Sequence, residues 1–442
     1  MALRSLLPMA LLLGTLTACS GDAWYGGGEE PPLPGERISV LALESGLEAD
    51  PNLSDVTIDL PEATSNKAWP QHGGSANNSM QHLVIADKIA PAWQVGIGEG
   101  STDTGQLLAR PVVADGRVFT MDAFGSISAF NTKTGALIWQ KTFVDLDLDD
   151  SVFGGGLAID DGRLFASFTS GDVISLSTTN GNEIWRQSLT LPLRSAPTVA
   201  DGIVLVLTAD NQVYALNQET GQPSWRHAGF FEASAVLGGP SPAVDGGIAI
   251  VPYSSAEVFA LRLDNGRPLW SDTLQRPRRT QALAQINDIE GTPVIDGDRV
   301  YIGGRGGQVA AIDIRRGFRA WDADMTAVDT PWLAGDFIYL LTERNEAICL
   351  TRENGRIRWV TQLPMNADPD DSDSPALTWR GPVLAGGQLI ITNSNDEALT
   401  LSPFTGEIKE TLSLSGPAAV TPVVADGTVY FLTQEAELQA FR

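Results

Sequence analysis

A glycine followed four residues later by a tryptophan recurs along this chain, and no other feature of the sequence constrains the fold as strongly. The pairs are Gly135/Trp139, Gly181/Trp185, Gly221/Trp225, Gly266/Trp270, Gly317/Trp321 and Gly355/Trp359. Their separation of roughly 40 residues is typical of a repeated structural unit. A chain of 442 residues is long enough for about two to four ordinary domains. The repeat indicates instead one body built from equivalent units.

Each unit also carries a turn signal between two apolar runs. Residues 111–119 read Pro-Val-Val-Ala-Asp-Gly-Arg-Val-Phe, and residues 422–430 repeat the pattern. Asp-Gly between apolar runs favours a tight hairpin, because glycine accepts the positive φ of the turn. The turn glycines, 38 to 51 residues apart, are Gly116, Gly162, Gly202, Gly246, Gly297, Gly335, Gly386 and Gly427. The sequence therefore predicts an all-β fold, an eight-bladed β-propeller of four-stranded antiparallel blades.

The two ends of the repeat region complement each other. The last unit stops at Phe441-Arg442 after its third strand, and Ala92–Val95 near the other end has the form of an outer blade strand. We expect this N-terminal strand to complete the last blade and close the ring, which removes free sheet edges. We also expect each recurrent tryptophan to pack between neighbouring blades. The predicted propeller spans residues 67–442.

The N-terminal residues have the features of an export signal. A basic start and a short apolar run end in Leu16-Thr-Ala-Cys19, which predicts a signal peptide over residues 1–18. The last four residues resemble the bacterial lipobox, and this resemblance implies acylation of Cys19. Ser20, by the same resemblance, implies the outer membrane. Residues 19–66 are predicted to be a flexible acidic tether, in which the apolar segment Arg37–Leu43 has the composition to dock on an unidentified surface.

Composition excludes several classes of function. The chain has 29 Lys and Arg against 54 Asp and Glu, a formal net charge of -25, so its average field repels nucleic acid. Three histidines and two cysteines cannot supply a zinc cluster or a disulfide framework. With Cys19 acylated, Cys349 is the remaining thiol, and its apolar neighbours predict a buried strand residue. We expect no bound metal or cofactor.

Four local segments have competing interpretations. The acidic runs Asp145–Asp150 and Asp368–Asp373 are typical of solvated loops, with weak calcium binding as the alternative. The Gly- and Asn-rich residues 69–78 are expected to lie across an axial opening rather than to bind a metal through His72. Gly303–Gly307 lacks the following helix of a phosphate cradle, so we interpret it as a hairpin turn.

The repeat unit resembles a known family of propellers. Residues 129–139 and 215–225, each Ala-x-Asn-x-x-Thr-Gly-x-x-x-Trp, are similar to the tryptophan-docking repeat of pyrroloquinoline quinone (PQQ)-type propellers. The quinoprotein alcohol dehydrogenases and the BamB family of outer membrane lipoproteins share this repeat. The dehydrogenase resemblance implies a vicinal disulfide, calcium ligands and a catalytic Asp. A chain with one free cysteine cannot form that disulfide.

Two further segments resemble the BamB family. Leu191-Pro-Leu-Arg194 is similar to its Leu-x-Leu-Arg segment, and Asp288-Ile-Glu290 to its Asp-x-Asp segment before Thr-Pro. The resemblance implies that these loops share one rim of the ring and contact the POTRA domains of BamA. It assigns Leu191 and Leu193 as apolar contacts, Arg194 as the charged anchor, and Asp288 and Glu290 as acidic partners. The alternative is that the leucines begin a blade and the acids cap turns.

The resulting hypothesis is a non-enzymatic scaffold, lipid-anchored at the periplasmic face of the outer membrane. It would bind BamA within the Bam complex and present blade strands to unfolded β-barrel proteins by β-augmentation. One alternative is a PQQ- or calcium-dependent periplasmic quinoprotein enzyme. Another is an interaction module of a different envelope complex.

Overall fold

The structure, a computed structural model, describes residues 46–143, 155–232, 238–274, 289–371 and 373–442. The signal peptide, Cys19, the Arg37–Leu43 segment, Asp145–Asp150 and Asp288 lie outside these ranges. The chain divides into two units, Met1–Gly46 and Leu47–Arg442, and the repeats fall in the second.

Within the described ranges, thirty-two strands form eight antiparallel sheets of four strands each, as the repeats predict. The first four blades contain β2–β5 (Val112–Ala114, Arg117–Met121, Ser126–Asn131, Leu137–Thr142), β6–β9 (Gly155–Asp160, Arg163–Phe168, Asp172–Ser177, Glu183–Ser188), β10–β13 (Thr198–Ala200, Ile203–Leu207, Gln212–Asn217, Pro223–Ala228) and β14–β17 (Ala243–Asp245, Ile248–Pro252, Glu257–Arg262, Pro268–Thr273). The other four contain β18–β21 (Val294–Asp296, Arg299–Gly303, Val309–Asp313, Arg319–Ala323), β22–β25 (Trp332–Ala334, Phe337–Leu341, Glu346–Thr351, Ile357–Gln362), β26–β29 (Trp379–Ala385, Gln388–Asn393, Glu397–Leu401, Ile408–Ser413) and β30–β32 with β1 (Val423–Ala425, Thr428–Leu432, Glu437–Phe441, Pro91–Gly96). The predicted all-β, eight-bladed propeller is confirmed.

The Asp-Gly turns join the inner strand of a blade to its second strand. In the first blade Ala114 pairs with Arg117, so Asp115 and Gly116 alone form the turn. Both have positive φ, 50° and 70°, which is the conformation that a two-residue type I′ hairpin requires.

The ring closes through the strand that precedes it in the chain. β1 pairs antiparallel with β32, with Trp93 opposite Ala440 and Val95 opposite Leu438. The eighth blade therefore contains three strands from the C-terminal end and one from the N-terminal side, as predicted.

The recurrent tryptophans join neighbouring blades. The indole of Trp139 lies where a Cβ on Gly181 would be, 2.7 Å from its nearest ring carbon, so only glycine admits the ring. Each docking indole also donates a hydrogen bond to a carbonyl of the next blade. The donor and acceptor pairs are Trp93–Thr132, Trp139–Thr178, Trp185–Gln218, Trp225–Leu263, Trp270–Ile314, Trp321–Arg352 and Trp359–Pro403, at 2.7–3.1 Å. The predicted packing between blades is confirmed.

Residues 47–66 pack on the ring, although the sequence placed the start of the body at residue 67. Leu53, in the short 3₁₀ helix Pro51–Leu53, and Ile58 are buried. The amide of Asp50 donates to the carbonyl of Ile357 at 2.8 Å. The compact unit accordingly begins at Leu47.

Residues 66–85, which we call the axial plug, cross one end of the ring. Backbone and side-chain groups of the plug make hydrogen bonds to the backbone of the inner strand in seven blades. In each case the partner is the penultimate residue of that strand: Val113, Ile159, Val199, Val244, Ile295, Leu384 and Val424. In the remaining blade, Gln81 accepts from the indole of Trp332 and the amide of Gly335. The expectation that residues 69–78 lie across the axis is confirmed, and the covering segment is longer than expected.

Candidate functional site

A cavity of about 600 Å³ lies at the other end of the inner strands, where each strand begins. The loops that enter the inner strands line it, together with turns between second and third strands and His72 of the axial plug. Burial lowers the pKa of His72 well below its ordinary value, and the positive charge of Arg110 adds to this effect. His72 is therefore a neutral residue at neutral pH.

Four polar residues of this cavity occupy one position of the repeat. Arg110, Asp329, Arg380 and Thr421 each stand six residues before the turn glycine of their blade. The same position in the other blades is held by uncharged residues, namely Gly156, Ala196, Pro240 and Gly291. The charged residues at this repeat position therefore lie on one side of the axis, in blades 1, 6 and 7.

Asp329 is a buried carboxylate whose acceptor capacity is used by its neighbours. Its Oδ1 accepts from Arg110 Nη2 at 2.7 Å and from the amide of Thr330 at 2.7 Å. Its Oδ2 accepts from the amide of Gly381 at 3.0 Å and from the hydroxyl of Thr421. Burial opposes ionisation, but the Arg110 guanidinium and these donors outweigh burial and lower the pKa of Asp329 to about 2. The residue is a permanent anion at neutral pH.

Arg380 differs from the other arginines of the cavity. It is half-buried, and within the described ranges its guanidinium makes no ion pair and no side-chain hydrogen bond. Burial lowers its pKa, whereas the nearby charge of Asp329 raises it. Arg380 thus brings a positive charge into the cavity with no anion assigned to it.

Two other arginines are held by polar groups. Arg305 Nε lies 2.7 Å from Glu290 Oε1, and its Nη1 lies 2.9 Å from Glu343 Oε1. Arg194 Nε donates to the carbonyl of Gly238 at 3.2 Å. A Cβ on Gly239 would overlap the guanidinium of Arg194, so the neighbouring loop must carry glycine for Arg194 to lie there.

The structure brings two of the five predicted contact residues together. Arg194 and Glu290 line the same cavity. Leu193 is 1% exposed and packs in the core between blades 2 and 3, while Leu191 is half-buried. Asp288 lies outside the described residues. Of the two leucines, only Leu191 is accessible to a partner.

Sequence reasoning missed the rest of this site. The repeat offers a signal for Arg110, Asp329 and Arg380, namely a charged residue six positions before a turn glycine. Phe230 and Phe231, which are not among the residues that line the cavity, had no such signal, and they are 74% and 71% exposed. Their backbone is held in place, because the amide of Phe230 donates to Glu257 Oε2 at 2.7 Å and its carbonyl accepts from Asn211 Nδ2 at 2.7 Å.

The donors for a dehydrogenase-type calcium and quinone centre are not assembled in the described part of the chain. No group of three or more His, Cys, Asp or Glu side chains suited to a metal ion occurs there. Cys349 is buried in β24, as predicted, and burial raises the pKa of its thiol. The residues described there therefore do not fit a calcium and quinone centre.

Within these ranges, no helix is long and apolar enough to cross a membrane.

Solved structures with the same fold define the class of protein. BamB from Moraxella catarrhalis superposes with a TM-score of 0.68 at 17% identity, covering 80% of this chain and 100% of that chain. The quinohemoprotein alcohol dehydrogenase from Comamonas testosteroni gives 0.65 at 14% identity, covering 88% and 82%. The chain thus shares the β-propeller fold of both proteins, and the fold alone does not separate the two groups.

The sequence comparisons do separate them. A family model described as outer membrane protein assembly factor BamB matches residues 85–147 and 123–361. Outer membrane protein assembly factor BamB of Yersinia pestis is 24% identical over 384 residues, covering 84% of this chain and 95% of that protein. The protein of the same name from Moranella endobia (strain PCIT) is 23% identical, covering 80% and 91%. The chain belongs to the BamB family, which confirms the resemblance.

Proposed function

We propose that this protein is a lipid-anchored, non-enzymatic assembly factor at the periplasmic face of the outer membrane, where it binds BamA and assists the assembly of β-barrel proteins. Its membership of the BamB family is the observation that carries this proposal. The acyl chains would be attached to Cys19, and two or three such chains are enough for stable anchoring.

The proposed docking surface lies on the cavity end of blades 2 to 5. Leu191 and the phenylalanine pair flank one turn, residues 208–211, because the carbonyl of Pro192 accepts from the amide of Ala209 and Phe230 bonds to Asn211. Aromatic and aliphatic side chains on a fixed backbone are the composition of a binding hot spot. Glu290 supplies an acidic border, to which the family resemblance adds Asp288 of the same segment, and Arg194 supports the surface from within the cavity.

The outer strands of the blades offer a second surface, for unfolded β-barrel segments. In each sheet the outer strand has one neighbour and one free edge. Leu137 and Ile138 on β5 and Ile184 on β9 are exposed there at 55%, 43% and 47%. A free edge with apolar side chains suits strand addition.

A pull-down from outer membranes in mild detergent tests the BamA contact. The tagged parent should retain BamA, and a Leu191→Asp/Phe231→Asp variant should lose most of it, because two charges would enter a desolvated interface. An Ile184→Asp variant, charged on an outer strand, is the matched control and should retain BamA. Thermal unfolding of each variant shows that it is folded.

Two outcomes reject this proposal in different ways. If the parent does not retain BamA, the assembly role is wrong, and a retained protein of another envelope complex would support the alternative interaction module. If the double variant retains BamA as the parent does, the assigned surface is wrong.

A quinoprotein enzyme is the alternative class that shares this fold, and the sequence comparisons do not favour it. Europium-containing methanol dehydrogenase matches this fold with a TM-score of 0.66 at 14% identity, nearly as well as BamB from Moraxella catarrhalis. Equilibrium dialysis of the purified chain against PQQ with calcium is the direct test. Stoichiometric retention of PQQ would favour the enzyme over the scaffold.

A further inference from the structure

The cavity of about 600 Å³ described above, which we call the axial cavity, combines positive charge with apolar walls in a strongly acidic protein. Among the described residues, four arginines line it, Arg110, Arg194, Arg305 and Arg380, against three acids, Asp329, Glu290 and Glu343. The formal charge of this described lining is therefore +1, whereas the whole chain carries -25. Leu377, Trp379 and Val328 add apolar surface to the same cavity. Such a lining suits an anion that also has a carbon skeleton.

The hydrogen bonds and ion pairs of the cavity acids show why Asp329 does not bond to Arg380. A carboxylate has about four lone-pair sites, and Asp329 receives four donors, from Arg110, Thr330, Gly381 and Thr421. It has no site left for Arg380, although the two charges are close enough to interact. Glu290 and Glu343 both pair with Arg305.

The surroundings of Arg380 hold it in position. Trp379, the residue before it, is buried, and its indole donates to the carbonyl of Pro364 at 3.0 Å. Gly381, the residue after it, donates its amide to Asp329. The backbone from which Arg380 projects is therefore fixed on both sides, and the planar fork of its guanidinium matches a carboxylate.

We propose that the axial cavity is a carboxylate-binding site, in which Arg380 receives the carboxylate of an organic ligand and the apolar wall receives its carbon chain. The free carboxyl end of a polypeptide and a small organic acid share this chemistry, and binding experiments distinguish them. The cavity, at about 600 Å³, has room for either. Such a ligand would bind to the ring itself, independently of BamA.

Isothermal titration calorimetry on the purified full chain in mild detergent tests the proposal with three probes. These are N-acetyl-tetra-alanine with a free carboxyl end, the same peptide with a carboxamide end, and succinate. We expect at least one carboxylate probe to bind. The carboxamide should bind about tenfold or more weakly than the free acid if the source is a polypeptide, because a charge-assisted hydrogen bond is lost. Binding of succinate alone would assign the site to a small organic acid.

Variants of Arg380 connect the binding to this residue. Arg380→Gln should weaken the carboxylate probe about tenfold or more, whereas Arg380→Lys should retain part of the affinity because it keeps the charge. Arg262→Gln, at an exposed arginine paired with Asp264, is the matched control and should bind as the parent does. If Arg380→Gln does not fold, the comparison of acid with amide on the parent still decides.

Three results would overturn the site. They are no binding of either carboxylate, equal binding of peptide acid and peptide amide without succinate binding, and unchanged affinity in a folded Arg380→Gln variant. None of these results bears on BamA retention, so the site and the proposed function can fail independently.

Discussion

The two ends of the ring axis are built on the same eight inner strands, yet they differ in every other respect. At the end that carries the Asp-Gly turns, which we call the turn end, the axial plug makes hydrogen bonds to equivalent backbone positions in the blades. At the cavity end, loops of unequal composition place arginines and carboxylates around about 600 Å³ of open space. One end satisfies backbone groups, and the other concentrates side-chain charge.

This difference follows from what the repeat specifies. A two-residue turn admits few conformations, so the turn end repeats closely around the ring and one extended segment can bond to it throughout. Loops that enter the inner strands are free to vary in length and composition. We infer that the turn end contributes mainly to stability and the cavity end mainly to binding.

Removal of Trp69 should give the largest effect and tests the role of the axial plug. Its side chain is 1% exposed and stacks on Trp332 at 6.3 Å between ring centroids. Trp69→Ala should lower the free energy of unfolding by about 4 kcal/mol, the cost of a large buried cavity. Urea denaturation measures it, with Leu137→Ala on the exposed outer strand as control. A loss below about 1 kcal/mol would mean that the plug is not part of the cooperative unit.

Asp329→Asn should give the largest effect at the cavity end. It leaves the buried Arg110 guanidinium without its anion, so we expect a loss of about 3 kcal/mol at pH 7. Asp264→Asn, at an exposed ion pair, should leave the stability nearly unchanged, because solvent screens such a pair. Equal losses in the two variants would contradict the importance of burial.

The pH dependence of that loss has a defined sign. The pKa of Asp329 is about 2 in the folded chain against an ordinary value of 3.8. A depressed carboxyl pKa stabilises the fold above the ordinary value, and this contribution disappears as pH falls through the folded value. The difference between the parent and Asp329→Asn should therefore be constant above about pH 5 and shrink towards pH 2. A difference that grows on acidification would show that the assigned charge state is wrong.

Gln71→Ala should give an intermediate effect at the plug. The buried Gln71 amide donates to the carbonyl of Val199 at 2.7 Å and accepts from its amide at 3.1 Å. Truncation leaves both backbone groups without a protein partner and should cost about 2 kcal/mol in urea denaturation. Gln222, which is exposed, supplies the control; if Gln222→Ala costs as much, the bonds to Val199 contribute little.

Glu290→Gln should have the smallest effect. Arg305 keeps Glu343 as a partner at 2.9 Å, so the loss of stability should stay below about 1 kcal/mol. The same denaturation measurement checks it. A larger loss would mean that the charges at the cavity end stabilise the ring, and it would weaken the contrast between the two ends.

The elements that repeat could be predicted from the sequence. Contacts between residues of different blades could not, unless their spacing recurs. Asp115-Gly116 predicts its own turn, because the required φ values are local. Trp139 against Gly181 is predictable because the spacing recurs. The pairing of Arg110 with Asp329 joins residues more than 200 positions apart, and neither residue carries a local signal of its partner.

The predicted contact residues show the same limit. The resemblance located the Leu191–Arg194 and Glu290 loops, and the structure places Arg194 and Glu290 in one cavity. Which leucine faces outward depends on the blade that follows: Leu193 forms a bridge with Thr208 and turns into the core. The different burial of the two leucines follows from strand pairing, which the Leu-x-Leu-Arg motif does not predict.

The order of attachments along the N-terminal side also determines how the ring carries mechanical load. Tension applied at residue 47 first meets the Asp50 contact with Ile357 and the bond from Arg358 to the carbonyl of Val56, both on blade 6. It then meets the axial plug, whose hydrogen bonds reach all eight blades, so we expect the blades to share the force. β1, which closes the ring, follows both attachments along the chain, so we expect it to be loaded last.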